Sequence, residues 1–178
     1  MFGSDPYDPD STPADGAQGG TARPIKITRF QGRLNLAKFY QDSIQITGSF
    51  PIDAGKPALS QTLILSVGGI LAKIPLDSHG RGSDGLNIAK LRIKQTKGEV
   101  PAQGVPFTIK MTKGDYAFDL ADEGVVIDKA LKNKAVRIDV LMLFQKSVYQ
   151  TSIDTLYTSV PEHSASLKLP PRKPAPKN

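Results

Sequence analysis

Side chains able to do chemistry are few in this 178-residue chain, and they are thinly spread. There are two histidines and no cysteine. Thiolate nucleophiles, disulfides, zinc ribbons and iron–sulfur ligation are therefore excluded by composition. His79 lies in the polar run Asp77-Ser78-His79-Gly80-Arg81-Gly82-Ser83-Asp84-Gly85, and His163 in the loose stretch after the last alternating segment. Asp77, Ser78 and His79 have the residue types of a Ser–His–Asp triad, but sequence neighbours rarely point at one another in that geometry. Both histidines are expected to be exposed loop residues, and no enzyme activity is expected. Asp77, Ser78 and Asp84 also offer oxygen to a calcium ion. Calcium takes six to eight oxygens, usually from acids at alternating positions, and a flexible connection is the preferred reading. Its glycines lack the Gly-Lys-Ser/Thr ending of a phosphate loop.

Two further charged groups stand out. Asp119, Asp122 and Glu123 cluster in a short helical segment, where paired carboxylates could serve glycoside hydrolysis. The chain has no Trp to stack on a sugar, and a solvated helix face is the plainer reading. Lys90, Arg92, Lys94 and Lys97 follow one another at strand spacing, opposite the apolar Ala89, Leu91 and Ile93, with Lys110 and Lys113 as candidate neighbours. They are the candidate binding residues. Either they form a basic stripe for an acidic polymer, or they are an ordinary solvated face whose lysines discourage edge-to-edge pairing. The stripe has no interleaved aromatics, so specific nucleic-acid binding is not expected.

The elements that position these groups read as strands. Hydrophobic residues make up 39% of the chain, and Gly (16) and Pro (14) are plentiful, which favours many turns and few long helices. Apolar alternation marks Ile25 and Ile27 towards Leu34 and Leu36, with a bend at Gly32. It recurs at Ile44, Ile46 and Phe50, at Leu63, Leu65 and Val67, and at Ile70, Ala72, Ile74 and Leu76. The last two runs meet at Gly68-Gly69, a hairpin signal because both residues accept positive φ. Ala89–Ile93, Phe107–Met111, Val136–Phe144 and Val148–Tyr157 complete about eight strands, the last pair turning near Gln145-Lys146. One short helix is predicted over Tyr116–Glu123, capped by Asp115 and stopped by Gly124. This pattern predicts an all-β, immunoglobulin-like sandwich over residues 25–158.

The flanks differ from the body. Residues 1–24, with Asp5, Asp8, Asp10 and Asp15, read as an acidic Pro/Gly-rich linker, and residues 159–178 as a basic, Pro-rich disordered tail. The net charge of +6 favours contact with anionic polymers or surfaces. No signal peptide and no apolar run long enough to span a membrane is read.

Gly3-Ser4-Asp5-Pro6-Tyr7-Asp8-Pro9-Asp10-Ser11-Thr12-Pro13 resembles the closing segment of bacterial calcium-binding repeats related to thrombospondin type-three repeats. The Asp-x-Asp-x-Asp-Gly loop that supplies most ligands in those repeats is absent. Asp5, Asp8 and Asp10 alone make an incomplete metal site, so calcium is implied only with an upstream repeat. The body is similar to a β-domain that ends many large extracellular proteins of environmental bacteria. The similarity is carried by Lys38–Gly48, by Val67-Gly68-Gly69 ahead of Leu76–Gly80, by Lys113–Gly124 and by Leu156-Tyr157-Thr158. It departs at Gln145-Lys146, where that family usually has a glycine pair. The resemblance implies the terminal part of a longer secreted or cell-surface protein, with Met1 an internal residue or a misplaced start. It implies a fold and a location but no activity. The expected function is a non-catalytic accessory or interaction module, with a domain for polyanion or polysaccharide binding as the alternative. An extracellular polymer or protein is the expected partner, the chain itself being a monomer.

Overall fold

The computed structural model describes residues 22–55, 61–96 and 99–171. Its strands are β1 (Arg23–Pro24), β2 (Lys26–Asn35), β3 (Asp42–Ile52), β4 (Gln61–Val67), β5 (Ile70–Leu76), β6 (Arg81–Ser83), β7 (Asn87–Leu91), β8 (Gln103–Gly114), β9 (Leu131–Phe144), β10 (Ser147–Val160) and β11 (Ser164–Lys168). One helix, α1 (Tyr116–Asp119), follows β8. The protein is all-β, and its strands belong to one sheet.

That sheet closes on itself. Its order is β1-β10-β11-β2-β3-β8-β7-β6-β5-β4-β9, and β9 pairs in turn with β10. Hydrogen bonding thus runs in a continuous circuit through every strand from β2 to β11, all in antiparallel pairs, while β1 adds to β10 in parallel. The circuit is thinnest between β5 and β6, which share the single pair Leu76–Gly82.

Closure gives each strand one inward and one outward face, and the sequence obeys it. The inward residues include Ile44, Ile46 and Phe50 of β3, Leu63 and Leu65 of β4, Phe107 and Ile109 of β8, and Ile138, Val140 and Met142 of β9, all essentially inaccessible. They join one core. Phe50 lies 5.7 Å from Phe144 of β9 and 4.8 Å from Tyr149 of β10, ring centre to ring centre. Neither strand is its hydrogen-bonded neighbour, so facing walls pack directly on each other. Beside Phe50, Gly48 leaves room for the Phe107 ring and the Lys26 carbonyl, both of which a Cβ would strike.

Turns are set by local backbone preference. Gly68 (φ 52°) and Gly69 (φ 85°) form the predicted two-residue hairpin between β4 and β5. Gln145 (φ 51°) and Lys146 (φ 63°) form the matching turn between β9 and β10, with Phe144 opposite Ser147. Both turns have the left-handed geometry that suits the twist of the flanking strands. In the second, residues with a Cβ occupy it at a cost.

Several expectations are revised. Among the described residues there are eleven strands where alternation marked about eight. The bend in β2 is a bulge between Ile27 and Arg29, away from Gly32. The sheet continues past residue 158: β10 runs to Val160, and β11, within the stretch read as a disordered tail, is wedged between β10 and β2. The helix is a single turn, and the Asp115 side chain makes no cap bond. Replacing Gln145 by Asn and Lys146 by Gly together should relieve the left-handed strain and stabilise the fold by about 1 kcal/mol. A raised melting temperature with an unchanged β-sheet spectrum checks this; an unchanged or lower one contradicts it.

Candidate functional site

Because the sheet is closed, outward residues on neighbouring strands form rows fixed by register. One row runs through Arg81 of β6, Lys90 of β7, Thr108 of β8, Thr47 of β3 and Arg29 of β2. The next runs through Ile88, Lys110, Gln45, Gln31 and, on β11, Lys168. Lys26 and Arg33 stand opposite Ser49 and Ser43. All these basic side chains are exposed. Among the described residues, no carboxylate faces outward from β2, β3, β6, β7, β8 or β11. Hydroxyl and amide side chains fill the space between the cations. Arg81 and Arg29 are four strand spacings apart, roughly 19 Å.

The electrostatics of this wall are one-sided. Arg81 stands directly opposite Lys90, and like charges in that relation destabilise a sheet. Elsewhere the chain avoids it: Arg137 of β9 stands opposite Asp154 of β10. At the β6–β7 end the basic wall sinks into a hollow of about 740 Å³ lined by His79, Arg81, Lys90 and Arg92 with Ser78 and Gln95. No carboxylate lines it.

The acids nearest this hollow are committed to their own turns. Asp77 Oδ1 accepts the backbone N–H groups of His79 (2.9 Å) and Arg81 (2.8 Å). The Arg81 N–H contributes most to holding that carboxyl below its ordinary range. Asp84 accepts from the Leu86 and Asn87 backbone and from the Asn87 amide. Partial burial pushes the Asp84 carboxyl upward, but these bonds outweigh it and hold it low. The two carboxylates cap separate turns and do not share a calcium loop. Ser78 Oγ lies 3.3 Å from His79 Nδ1, while Asp77 is spent on backbone, so the three do not form a triad.

The basic stripe read from the sequence is only partly a strand feature. Lys90 lies on β7 and faces outward; β7 ends at Leu91, and Arg92 and Lys94 are exposed beyond it. The Lys94 backbone is clasped by the Gln103 amide through two hydrogen bonds. Lys110 is next to this row, whereas Lys113 sits at the far end of β8 at φ 58°. Lys97, Asp5, Asp8 and Asp10 lie outside the described residues. Asp119 and Asp122 are exposed, and Glu123 is partly buried. Burial, with Asp139 and Asp122 adding, raises the Glu123 carboxyl. Among the described residues no three acids or histidines are grouped to hold a metal. Nor is any helix there long and apolar enough to cross a membrane.

One buried carboxylate organises the end of the sheet where β2, β3 and α1 meet. Asp42 Oδ1 accepts the Asn35 N–H (2.6 Å), closing the β2–β3 loop, and Oδ2 accepts the Ala117 N–H (3.0 Å), doing the capping expected of Asp115. Burial raises the Asp42 carboxyl despite these bonds. No family model, curated protein or solved structure matches the chain.

Replacing Asp42 by Asn turns one acceptor into a donor facing an N–H. The expected loss is about 1–3 kcal/mol of stability. Because folding raises this carboxyl above its ordinary value of 3.8, its contribution is full below that pH and declines as pH rises through the raised value. The stability gap between wild type and Asp42→Asn should therefore widen as pH falls from 7 towards 4. Denaturant titrations at both pH values check this, and a gap that narrows contradicts it.

Proposed function

We propose that this chain is a non-catalytic binding module that lays the outer wall of β6, β7, β8, β3, β2 and β11 against an acidic polysaccharide. The observation that carries the reading is the row of cations from Arg81 to Arg29 with no outward carboxylate among them. A solvated face interleaves both signs, as Arg137 and Asp154 do. This wall tolerates the unfavourable Arg81–Lys90 juxtaposition and leaves its charge unneutralised. A polyanion would supply the missing counter-charge. The Thr, Ser and Gln side chains between the cations offer hydrogen bonds to sugar hydroxyls. No aromatic side chain faces outward from these strands, which disfavours the stacking used by single-stranded nucleic-acid modules.

Direct packing of Phe50 against Phe144 and Tyr149 supports a flattened, two-layer sandwich. Its hydrogen bonding is joined at both sides, where an immunoglobulin-like domain keeps two separate sheets. The resemblance to terminal domains of bacterial extracellular proteins supports placement at the cell surface or outside the cell, in a longer protein carrying calcium-binding repeats upstream. Its motif residues have structural roles here: Asp42 clamps, Gly68-Gly69 turns, and the Tyr157 hydroxyl donates to the Val126 carbonyl at 2.8 Å.

Heparin serves as the test polymer. The triple variant Arg81→Gln/Lys90→Gln/Lys110→Gln should bind about tenfold more weakly and elute from a heparin column at lower salt. Lys132→Gln/Lys134→Gln/Arg137→Gln removes the same charge from β9 and should elute like wild type. Equal shifts for both variants, or none for the first, would remove the proposal.

A further inference from the structure

At the end of the sheet organised by Asp42, the chain exposes several aromatic rings. Phe39 is 69% exposed, Tyr40 71% and Phe118 54%. Phe39 and Phe118 come from different segments, the β2–β3 loop and α1, yet their rings lie 6.3 Å apart and within 24° of parallel. The loop that carries the first is braced on both sides. Asn35 Oδ1 accepts the Ala37 and Lys38 N–H groups, and the Asn35 amide donates to Gln41. Asp42 then ties this loop and α1 to one carboxylate. The two rings are thus presented by fixed backbone and form a platform.

The platform borders a cleft of about 330 Å³, whose remaining lining combines apolar stems with acid. Leu36 and Ile127 are half-buried in it, and Asp115, Asp128 and Glu162 supply three carboxylates against the single cation Lys38. Exposed aromatic faces attract cations through the ring quadrupole, and carboxylates add charge-assisted hydrogen bonds to a guanidinium.

We infer that this cleft is a second binding site, separate from the basic wall, and that it docks a partner protein segment presenting arginine or lysine next to an aliphatic side chain. The cation lies over the Phe39–Phe118 pair and meets Asp128 or Glu162, while the aliphatic neighbour covers Leu36 and Ile127. Charge complementarity selects this occupant over an acidic one. A neutral sugar would leave three carboxylates without a counter-ion.

The test uses isotope-labelled protein titrated with the peptide acetyl-Leu-Arg-Leu-Arg-amide. Saturable amide shifts confined to residues 36–41, 115–120, 127–128 and 161–163 are expected. Phe118→Ala should weaken binding about threefold to fivefold. Asp128→Asn/Glu162→Gln should weaken it by a similar factor and flatten its salt dependence, and acetyl-Leu-Glu-Leu-Glu-amide should leave the shifts unchanged. Phe118 and the two acids are exposed, so the variants are expected to fold, and unchanged core amide shifts verify it. The inference is overturned by no saturable shift with the Arg peptide, by equal binding of the Glu peptide, or by unchanged affinity in the acid-replaced variant. It is also overturned if N-acetylchitotriose saturates the same amides while the Arg peptide does not. Shifts that appear on concentrating the protein alone, with no response to the Arg peptide, would assign the cleft to a second copy and overturn it as well.

Discussion

Everything described depends on the pairing of β9 with β10. Their long antiparallel register, from Phe144 opposite Ser147 to Leu131 opposite Ser159, closes the circuit of hydrogen bonds. Within this circuit, alternate residues of each strand have two destinations, the core or the solvent. Core packing then fixes register, because a slip of one residue would turn Phe50, Ile109 or Val140 outward. The fixed register is what brings Arg29, Arg81, Lys90, Lys110 and Lys168 onto one wall. The surface chemistry is a consequence of core packing.

The ends of the sheet need separate devices, since closure governs only its sides. At one end Asp42 takes two backbone N–H groups from segments that no strand pairing connects. A carboxylate buried to this degree resists ionisation, and the structure offsets that cost with the bonds it receives. The 115–130 crossing from β8 to β9 is fastened by inward side chains of β10, Tyr157 to the Val126 carbonyl and Ser159 to the Lys129 carbonyl. At the other end Arg23 forms a two-pronged ion pair with Asp53 at 2.8 and 3.1 Å and lies over the Tyr149 ring. Being exposed, that pair contributes little by itself, but it marks where β1 joins β10.

The sequence revealed what is local and concealed what is not. Alternation at Val136–Phe144 and glycines at 68 and 69 identify strands and a turn because the causes lie within a few residues. β11 escaped because its inward residues, Ala165 and Leu167, are too few to show a period and prolines flank the segment. Asp115 was the obvious cap by position, whereas Asp42, the actual one, lies 75 residues from the Ala117 N–H it accepts. The basic wall is similar. A stripe at Lys90, Arg92 and Lys94 could be seen locally, but Arg29, Arg33 and Lys168 join it only through register across β8, β3 and β2, which no local pattern encodes. That Arg92 and Lys94 lie past the end of β7 also required the three-dimensional pairing.

The central claim is that one wall of a closed sheet, and not the overall positive charge, receives an anionic polymer. Amide shift mapping with a sulfated heparin tetrasaccharide tests it most directly. Perturbations should concentrate on β2, β3, β7 and β8 around Arg29, Thr47, Lys90 and Thr108, and should be small along β9 and the β9-facing half of β10. Shifts spread evenly over lysines and arginines of both walls, or centred on β9, would contradict it.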